Sequence, residues 1–280
     1  MQTLEQLIAK YQGTRIKSIS ELKPIISQIQ ELRIYYDIME NYRGHSLVEY
    51  DLNCGLARNK LSPEEFIEAE RKLYNDFMDF VAKQDEYIRL PFGENHNNPE
   101  LKNKWYALYQ AQHLGLKTRF MDWSIGWETA LMFAVENEKY FSHDGTFNVF
   151  LVPRDQLFTS DKISEASSKL DPFELEQDMM INTPIYMLND KFDYVGEKRI
   201  SRQAGRFWVQ SVKKGAIALK EQSEYKGLLL ELIIDGDAKK SIKAELEAHG
   251  ATIDWHYYRK DDNVDKGIRA INEKNLNKSI

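Results

Sequence analysis

The sequence predicts a single α+β domain. Amphipathic runs with helical spacing open and close the chain. Compact β-rich segments, Phe147–Val152 and Leu228–Ile234, lie between them. No internal repeat, low-complexity tract or linker divides the 280 residues, a length that can bury a sizeable core.

Residues 3–12 and 20–33 carry apolar side chains at helical spacing: Leu4, Leu7, Ile8 and Tyr11, then Leu22, Ile25, Ile26, Ile29 and Leu32. Pro24 is placed in the first turn of the second helix, where a missing N–H costs little. An extended segment follows and closes at Tyr42-Arg43-Gly44. Ser62-Pro63-Glu64-Glu65 reads as a helix start, with an N-cap serine, a first-turn proline and a glutamate three residues on. The apolar face behind it runs to about Gln84. Residues 91–99 form a loop, and Pro99 starts a helix that ends at Gly115.

The stretch Gln110–Glu136 then carries an extended segment around Met121 and a helix with the stripe Trp127, Ala130, Leu131, Ala134 and Val135. Pro153 stops the strand Phe147–Val152. Residues 159–195 read as long loops with short helices lining a pocket. Arg199–Val212 and Ala216–Leu219 read as strands around a glycine, and Leu228–Ile234 as a buried strand. A helix at 239–248, a short aromatic segment Trp255–Tyr258 and a helix at 262–275 complete the chain.

Composition narrows the class. Hydrophobic content of 42% and charged content of 29% describe a soluble globular protein, and no apolar run is long enough to span a bilayer. The N-terminal MQTLEQLIAK lacks the basic-then-apolar layout of a secretory signal, and Cys54 has no internal disulfide partner. A cytoplasmic location, with no membrane contact, is the expectation. The net charge of −6 argues against wholesale nucleic-acid binding. Locally, Lys198, Arg199, Arg202, Arg206, Lys213 and Lys214 fall within 17 positions, either as a phosphate-binding patch or as a solvated face.

Several chemistries are excluded by absent patterns. There is no phosphate-cradling Gly-rich Lys-Ser/Thr loop, no dinucleotide fingerprint and no Gly-x-Ser-x-Gly elbow. The six histidines show no metal-ligand spacing with one another or with Cys54, so no metal is expected. What remains is polar groups set beside glycines: Arg43 before Gly44, the segment Thr118-Arg119-Phe120-Met121-Asp122-Trp123-Ser124, and Gln203 before Gly205. Arg43 is suited to a forked pair with a carboxylate or phosphate of a ligand. The alternative is an internal pair with Asp122 that staples two strands, and Asp122 in turn either holds Arg43 or Arg119 or touches substrate. Trp123 and Trp127 stand at a spacing common for core aromatics.

These residues resemble the FRG domain, named for its (Phe/Tyr)-Arg-Gly motif, present as Tyr42-Arg43-Gly44. The family's second block is matched by Gln112-His113-Leu114-Gly115-Leu116-Lys117-Thr118-Arg119-Phe120-Met121-Asp122-Trp123-Ser124, followed by Phe133-Ala134 in a helix. A third, looser block matches Arg199-Ile200-Ser201-Arg202-Gln203-Ala204-Gly205-Arg206-Phe207. The resemblance covers about residues 38–235, leaving residues 1–35 as an N-terminal helical extension to a domain at 36–280.

The resemblance implies an ADP-ribosyltransferase-like split β-sheet core with flanking helices, using NAD as substrate. Arg43, Ser124 and Gln203, with Asp122 nearby, would then be the catalytic positions. Tyr42, Arg43, Gly44, Thr118, Arg119, Trp123 and Gly205 would contact the dinucleotide, with the Gly44 backbone meeting the nicotinamide amide. Gln203 stands where the wider superfamily usually has Glu, and an amide cannot act as a base at neutral pH. A non-catalytic nucleotide- or nucleic-acid-binding module, or an interaction scaffold, is therefore the alternative. The implied acceptor is a macromolecule, RNA, DNA or protein, with nucleic-acid phosphates held by Arg202, Arg206, Lys213 and Lys214. The implied setting is a toxin or anti-phage effector whose N-terminal helices dock an antitoxin protein.

Overall fold

The computed structural model describes residues 3–59, 61–83, 99–158, 170–182, 205–251 and 262–276. In chain order these form α1 (Leu4–Tyr11), β1 (Arg15–Ile16), α2 (Ile19–Tyr36), β2 (Ile38–His45), α3 (Pro63–Val81), α4 (Pro99–His113), β3 (Phe120–Ser124) and α5 (Trp127–Val135). They continue as β4 (Gly145–Pro153), β5 (Leu157–Phe158), β6 (Met179–Asn182), β7 (Gly205–Val209), β8 (Leu229–Ile234), α6 (Lys239–Ala248) and α7 (Asp262–Leu276). The α+β class holds. One mixed sheet of eight strands, in the order β1-β8-β4-β2-β3-β7-β6-β5, organises the described residues.

Local chemistry explains the helix boundaries. Thr3 and Gln6 close a capping box on α1, as Ser62 and Glu65 do on α3. At the end of α4, Gly115 adopts φ 96°, which lets the Leu116 N–H turn back to the Ala111 carbonyl. Ser18 caps α2 by accepting from the Glu21 N–H. The helix therefore begins one residue earlier than the apolar spacing predicts, and Pro24 falls in its second turn instead of its first.

Strand alternation sorts the core into two faces. Tyr42, Phe147, Val149, Leu151, Leu230 and Leu232 point toward α1, α2, α5 and α6. On the same side of β3, β6 and β7, Phe120, Phe207, Val209, Met179 and Ile181 pack against Trp105, Leu108 and Tyr109 of α4. Helices α3 and α7 back α4 through Phe66, Leu73, Phe77, Val264 and Ile268. The opposite face carries Met121, Trp123, Phe150, Val152, Met180 and Trp208, covered by Leu52, Leu219 and Tyr225 from turns and 3-10 segments. The N-terminal helices thus bury Leu7, Ile8, Leu22 and Ile29 in the same cluster as the sheet. β1 adds a short parallel strand to β8.

Three expectations are corrected. Ala216–Leu219 forms turns and a 3-10 start, because the Gln210 side chain takes the Ile217 carbonyl and the Val212 N–H goes to the Leu175 carbonyl. Within the stretch expected to be loops and short helices, Met179–Asn182 is a strand (β6) against β7. Its Met-rich run lies between β7 and the edge strand β5 of a buried sheet, which a mixed polar sequence conceals. The Arg199–Val212 strand is observed over Gly205–Val209, with 199–204 outside the described residues. The aromatic segment 255–258 also lies outside them.

Candidate active site

The sheet parts at its centre. β2 runs beside β4 through eight paired positions, Ile38 to His45, but meets β3 at one only, Tyr42 opposite Ser124. Beyond that pair the strands diverge. The open edge Arg43-Gly44-His45 faces Asp122 and Trp123 across the gap, and a cleft of about 340 Å³ fills it. Tyr42, Arg43, Gly44, Asp122, Trp123, Ser124 and Gly205 all border this cleft. The ends of α4 and α5 close it, with Gln112 and His113 on one and Phe133 and Glu136 on the other. Its size is within the roughly 300–1,000 Å³ of small-molecule sites.

Arg43 spans the gap. Its Nε donates to His45 Nε2 at 3.0 Å, and its Nη1 donates to the Asp122 carbonyl. The Asp122 carboxylate stands 4.0 Å from the same nitrogen, close enough for attraction. That carboxylate is half exposed and accepts from Gln112 Nε2 at 2.9 Å, while Gln112 Oε1 accepts from the Thr118 hydroxyl at 2.7 Å. A polar relay, Thr118–Gln112–Asp122–Arg43–His45, therefore sets one wall.

His45 is the member that sequence reasoning did not select. Its Nε2 accepts from Arg43, so the ring proton sits on Nδ1 and is given to the Tyr50 carbonyl at 3.2 Å. Burial first and the Arg43 charge second pull its pKa down to about 3. The imidazole is neutral across the physiological range and serves as a fixed acceptor for the guanidinium. Gln112, Glu136 and Arg58 of the cleft lining were likewise not singled out as site residues. Gln112 was already inside the second motif block, and His45 directly follows the first.

Gly44, which borders the cleft, also has a packing justification. A Cβ there would lie 1.9 Å from the Ala130 carbonyl oxygen and 2.7 Å from the Ala134 nitrogen. The glycine is demanded by α5 crossing closely over β2, which also brings Phe133 and Glu136 to the cleft.

Two motif residues turn away from the cleft. Arg119 is fully buried: Nε meets Glu70 Oε2 at 2.6 Å, Nη1 donates to the Gln210 carbonyl at 2.8 Å, and Nη2 donates to the Pro172 carbonyl. Its own N–H donates to Glu70 Oε1. It ties β3 to α3 and two loops and does not border the cleft, so Asp122 does not hold it. Thr118, equally buried, acts on the site only through Gln112.

Trp123 borders the cleft but is 1% exposed, with its ring 5.4 Å from that of Phe150, in the core role and not as a platform for a ligand ring. Among the residues expected to bind nucleic-acid phosphates, Arg206 is turned inward to Asn41 Oδ1 at 2.8 Å, its pKa lowered to about 10 by burial. Lys214 is paired with Asp178 and Glu224, and Lys213 is exposed. Gln203 and Arg202 lie outside the described residues. Among the described residues no three His, Cys, Asp or Glu side chains gather to hold a metal, and no helix is long and apolar enough to cross a membrane.

A mixed α+β core with a polar cleft where the central sheet divides defines the structural class of this protein. The family model of the FRG domain matches residues 40–143, from within β2 to just short of β4. Over that stretch the chain is similar to the FRG domain. Its first two motif blocks lie within it, and the third, Arg199–Phe207, lies beyond it. No curated protein and no solved structure gives a significant match.

Proposed function

We propose that the cleft binds NAD and transfers its ADP-ribosyl group to a macromolecular acceptor, as the resemblance to ADP-ribosyltransferases implies. The observation that carries this reading is the convergence of Arg43, Asp122 and Ser124 on one cleft at the split between β2 and β3. That is where a divided sheet can admit an extended dinucleotide. Arg43 offers charge to the diphosphate or the adenosine-side ribose. Ser124, at the end of β3 and 6% exposed, offers a hydroxyl at the cleft wall.

In the reaction the bond between nicotinamide and ribose C1′ breaks, and its electron pair leaves with the ring as neutral nicotinamide. The ribose passes through an oxocarbenium-like state, as in glycoside cleavage. An acceptor oxygen or nitrogen then bonds C1′ and releases its proton. Because the leaving group is good, positioning and charge stabilisation are the main demands on the protein. Asp122 and Glu136 are the carboxylates of the cleft among the described residues, and the half-exposed Asp122 suits the role of proton acceptor. A toxin or anti-phage role, with an antitoxin docked on the N-terminal helices, belongs to the same proposal. The surface these helices leave open ends in Ile34, Tyr35 and Tyr36.

The test is incubation with NAD and candidate RNA, DNA and protein acceptors. Nicotinamide release with ADP-ribose retained on an acceptor is the expected result. Failure to release nicotinamide with any of them overturns the transferase reading. Binding of NAD without turnover would then favour a non-catalytic nucleotide-binding module, which the amide at Gln203 also fits.

A further inference from the structure

We propose that a second, smaller pocket beside the cleft is a phosphate-binding subsite, formed by Arg58 and Lys117 with Arg43 at its inner edge. The pocket, about 140 Å³, shares Arg43, Arg58, Gln112 and Asp122 with the main cleft and extends to Asn53, Gly55 and Lys117. On this scale a single water takes about 10–15 Å³, so a phosphoryl group and several waters fit.

Its charge is lopsided. Three cations, Arg43, Arg58 and Lys117, face one carboxylate, Asp122. Cations around a common cavity repel one another unless an anion lies between them, and the repulsion is stronger where water is partly excluded. Burial first and the neighbouring Arg58 second lower the Lys117 pKa, as expected of an ammonium group without a counter-ion. Among the described residues no hydrogen bond or ion pair engages the Arg58 guanidinium or the Lys117 ammonium. Three cations elsewhere are paired: Lys220 with Asp51, Lys104 with Asp171, and Lys214 with Asp178 and Glu224.

The backbone carrying both groups is fixed. Leu56 N–H donates to the Thr118 carbonyl at 3.1 Å, joining the two segments. The Asn59 side chain donates to the Gly55 and Leu56 carbonyls and tightens the 3-10 turn that bears Arg58. Lys117 N–H is held by Asn272 Oδ1 at 3.0 Å, and Asn272 Nδ2 donates to the Gly115 carbonyl. Gly55 lies against the Lys117 stem, where a Cβ would come 3.3 Å from Cδ. Both long side chains thus spring from anchored positions, which limits the ordering cost of clasping an anion. The chemistry recognised is a phosphate, supplied either by a dinucleotide reaching out of the cleft or by the backbone of a nucleic-acid strand. Binding here does not require the transferase reading, since a phosphate can dock whether or not nicotinamide is released.

The experiment is titration of the full chain, under conditions without turnover, with NAD and separately with a fluorescent single-stranded oligonucleotide of about ten nucleotides. Inorganic phosphate serves as competitor. The double variant Arg58→Gln/Lys117→Gln should weaken one or both probes at least tenfold with an unchanged melting temperature. For the oligonucleotide it should reduce the salt slope by about 1.4, since each strand phosphate contact contributes about 0.7. Arg58→Lys/Lys117→Arg, which keeps the charges, should stay within about threefold of wild type. Loss confined to NAD identifies the dinucleotide as the source, and loss confined to the strand identifies the acceptor. Unchanged binding of both probes by the Gln variant, or no binding of either by the wild type, overturns the subsite. A protein that keeps this charge-dependent binding but releases no nicotinamide loses the transferase reading alone.

Discussion

Arg43 donates to His45 Nε2 from one end of its guanidinium and to the Asp122 carbonyl from the other, and so bridges the two strands whose separation makes the cleft. The bridge works only with a neutral imidazole, because an imidazolium has no lone pair to offer and would repel the arginine.

His45 is therefore expected to stay uncharged far below the ordinary histidine range, reaching half-protonation at about pH 3. The unfolded chain takes up a proton near pH 6.5 while the folded chain does not, so this group's contribution to stability falls as pH drops through that window. The loss is up to about 1.4 kcal/mol per pH unit. Urea unfolding at pH 7 and pH 4.5 should show a steeper decline for wild type than for His45→Gln. Equal slopes would show that His45 titrates normally.

Arg43→Lys should not restore what Arg43→Ala loses. An ammonium is a point charge and cannot reach His45, Asp122 and a ligand with a planar fork. Both variants should lose at least tenfold in NAD affinity while melting within a few degrees of wild type. A large stability loss in Arg43→Ala would instead make the residue a staple between strands.

Gly44→Ala places a methyl group 1.9 Å from the Ala130 carbonyl, an obstacle of backbone that no rotamer change relieves. Overpacking of this kind costs about 1–3 kcal/mol. α5 should shift and carry Phe133 and Glu136 with it, so ligand binding and stability should fall together, as thermal melting and titration would reveal.

Glu70→Ala leaves the Arg119 guanidinium buried without its carboxylate. Breaking one partner of a fully buried pair costs about 3–5 kcal/mol. Chemical denaturation should register this, although neither residue borders the cleft. A loss under 1 kcal/mol would mean that the remaining carbonyl contacts and water compensate.

Much of this protein was legible along the chain because the responsible physics is local. Capping at Ser62–Glu65, the glycine stop at Gly115 and the apolar periods of α1, α3 and β8 depend on neighbours a few residues apart. The motif blocks around Arg43 and Asp122 also marked the segments that meet at the cleft. Only the tertiary structure decided which polar residue does what. Thr118, Arg119 and Asp122 are nearly adjacent in sequence, yet one supports Gln112, one is locked to Glu70 and one faces the cleft. The partners that set their roles lie on other elements, so spacing alone carries no record of the pairing. The same holds for Gly44, whose need for a bare Cα arises from a helix more than eighty residues further along, and for Arg58 and Lys117, which only the packing of separate loops brings to one pocket.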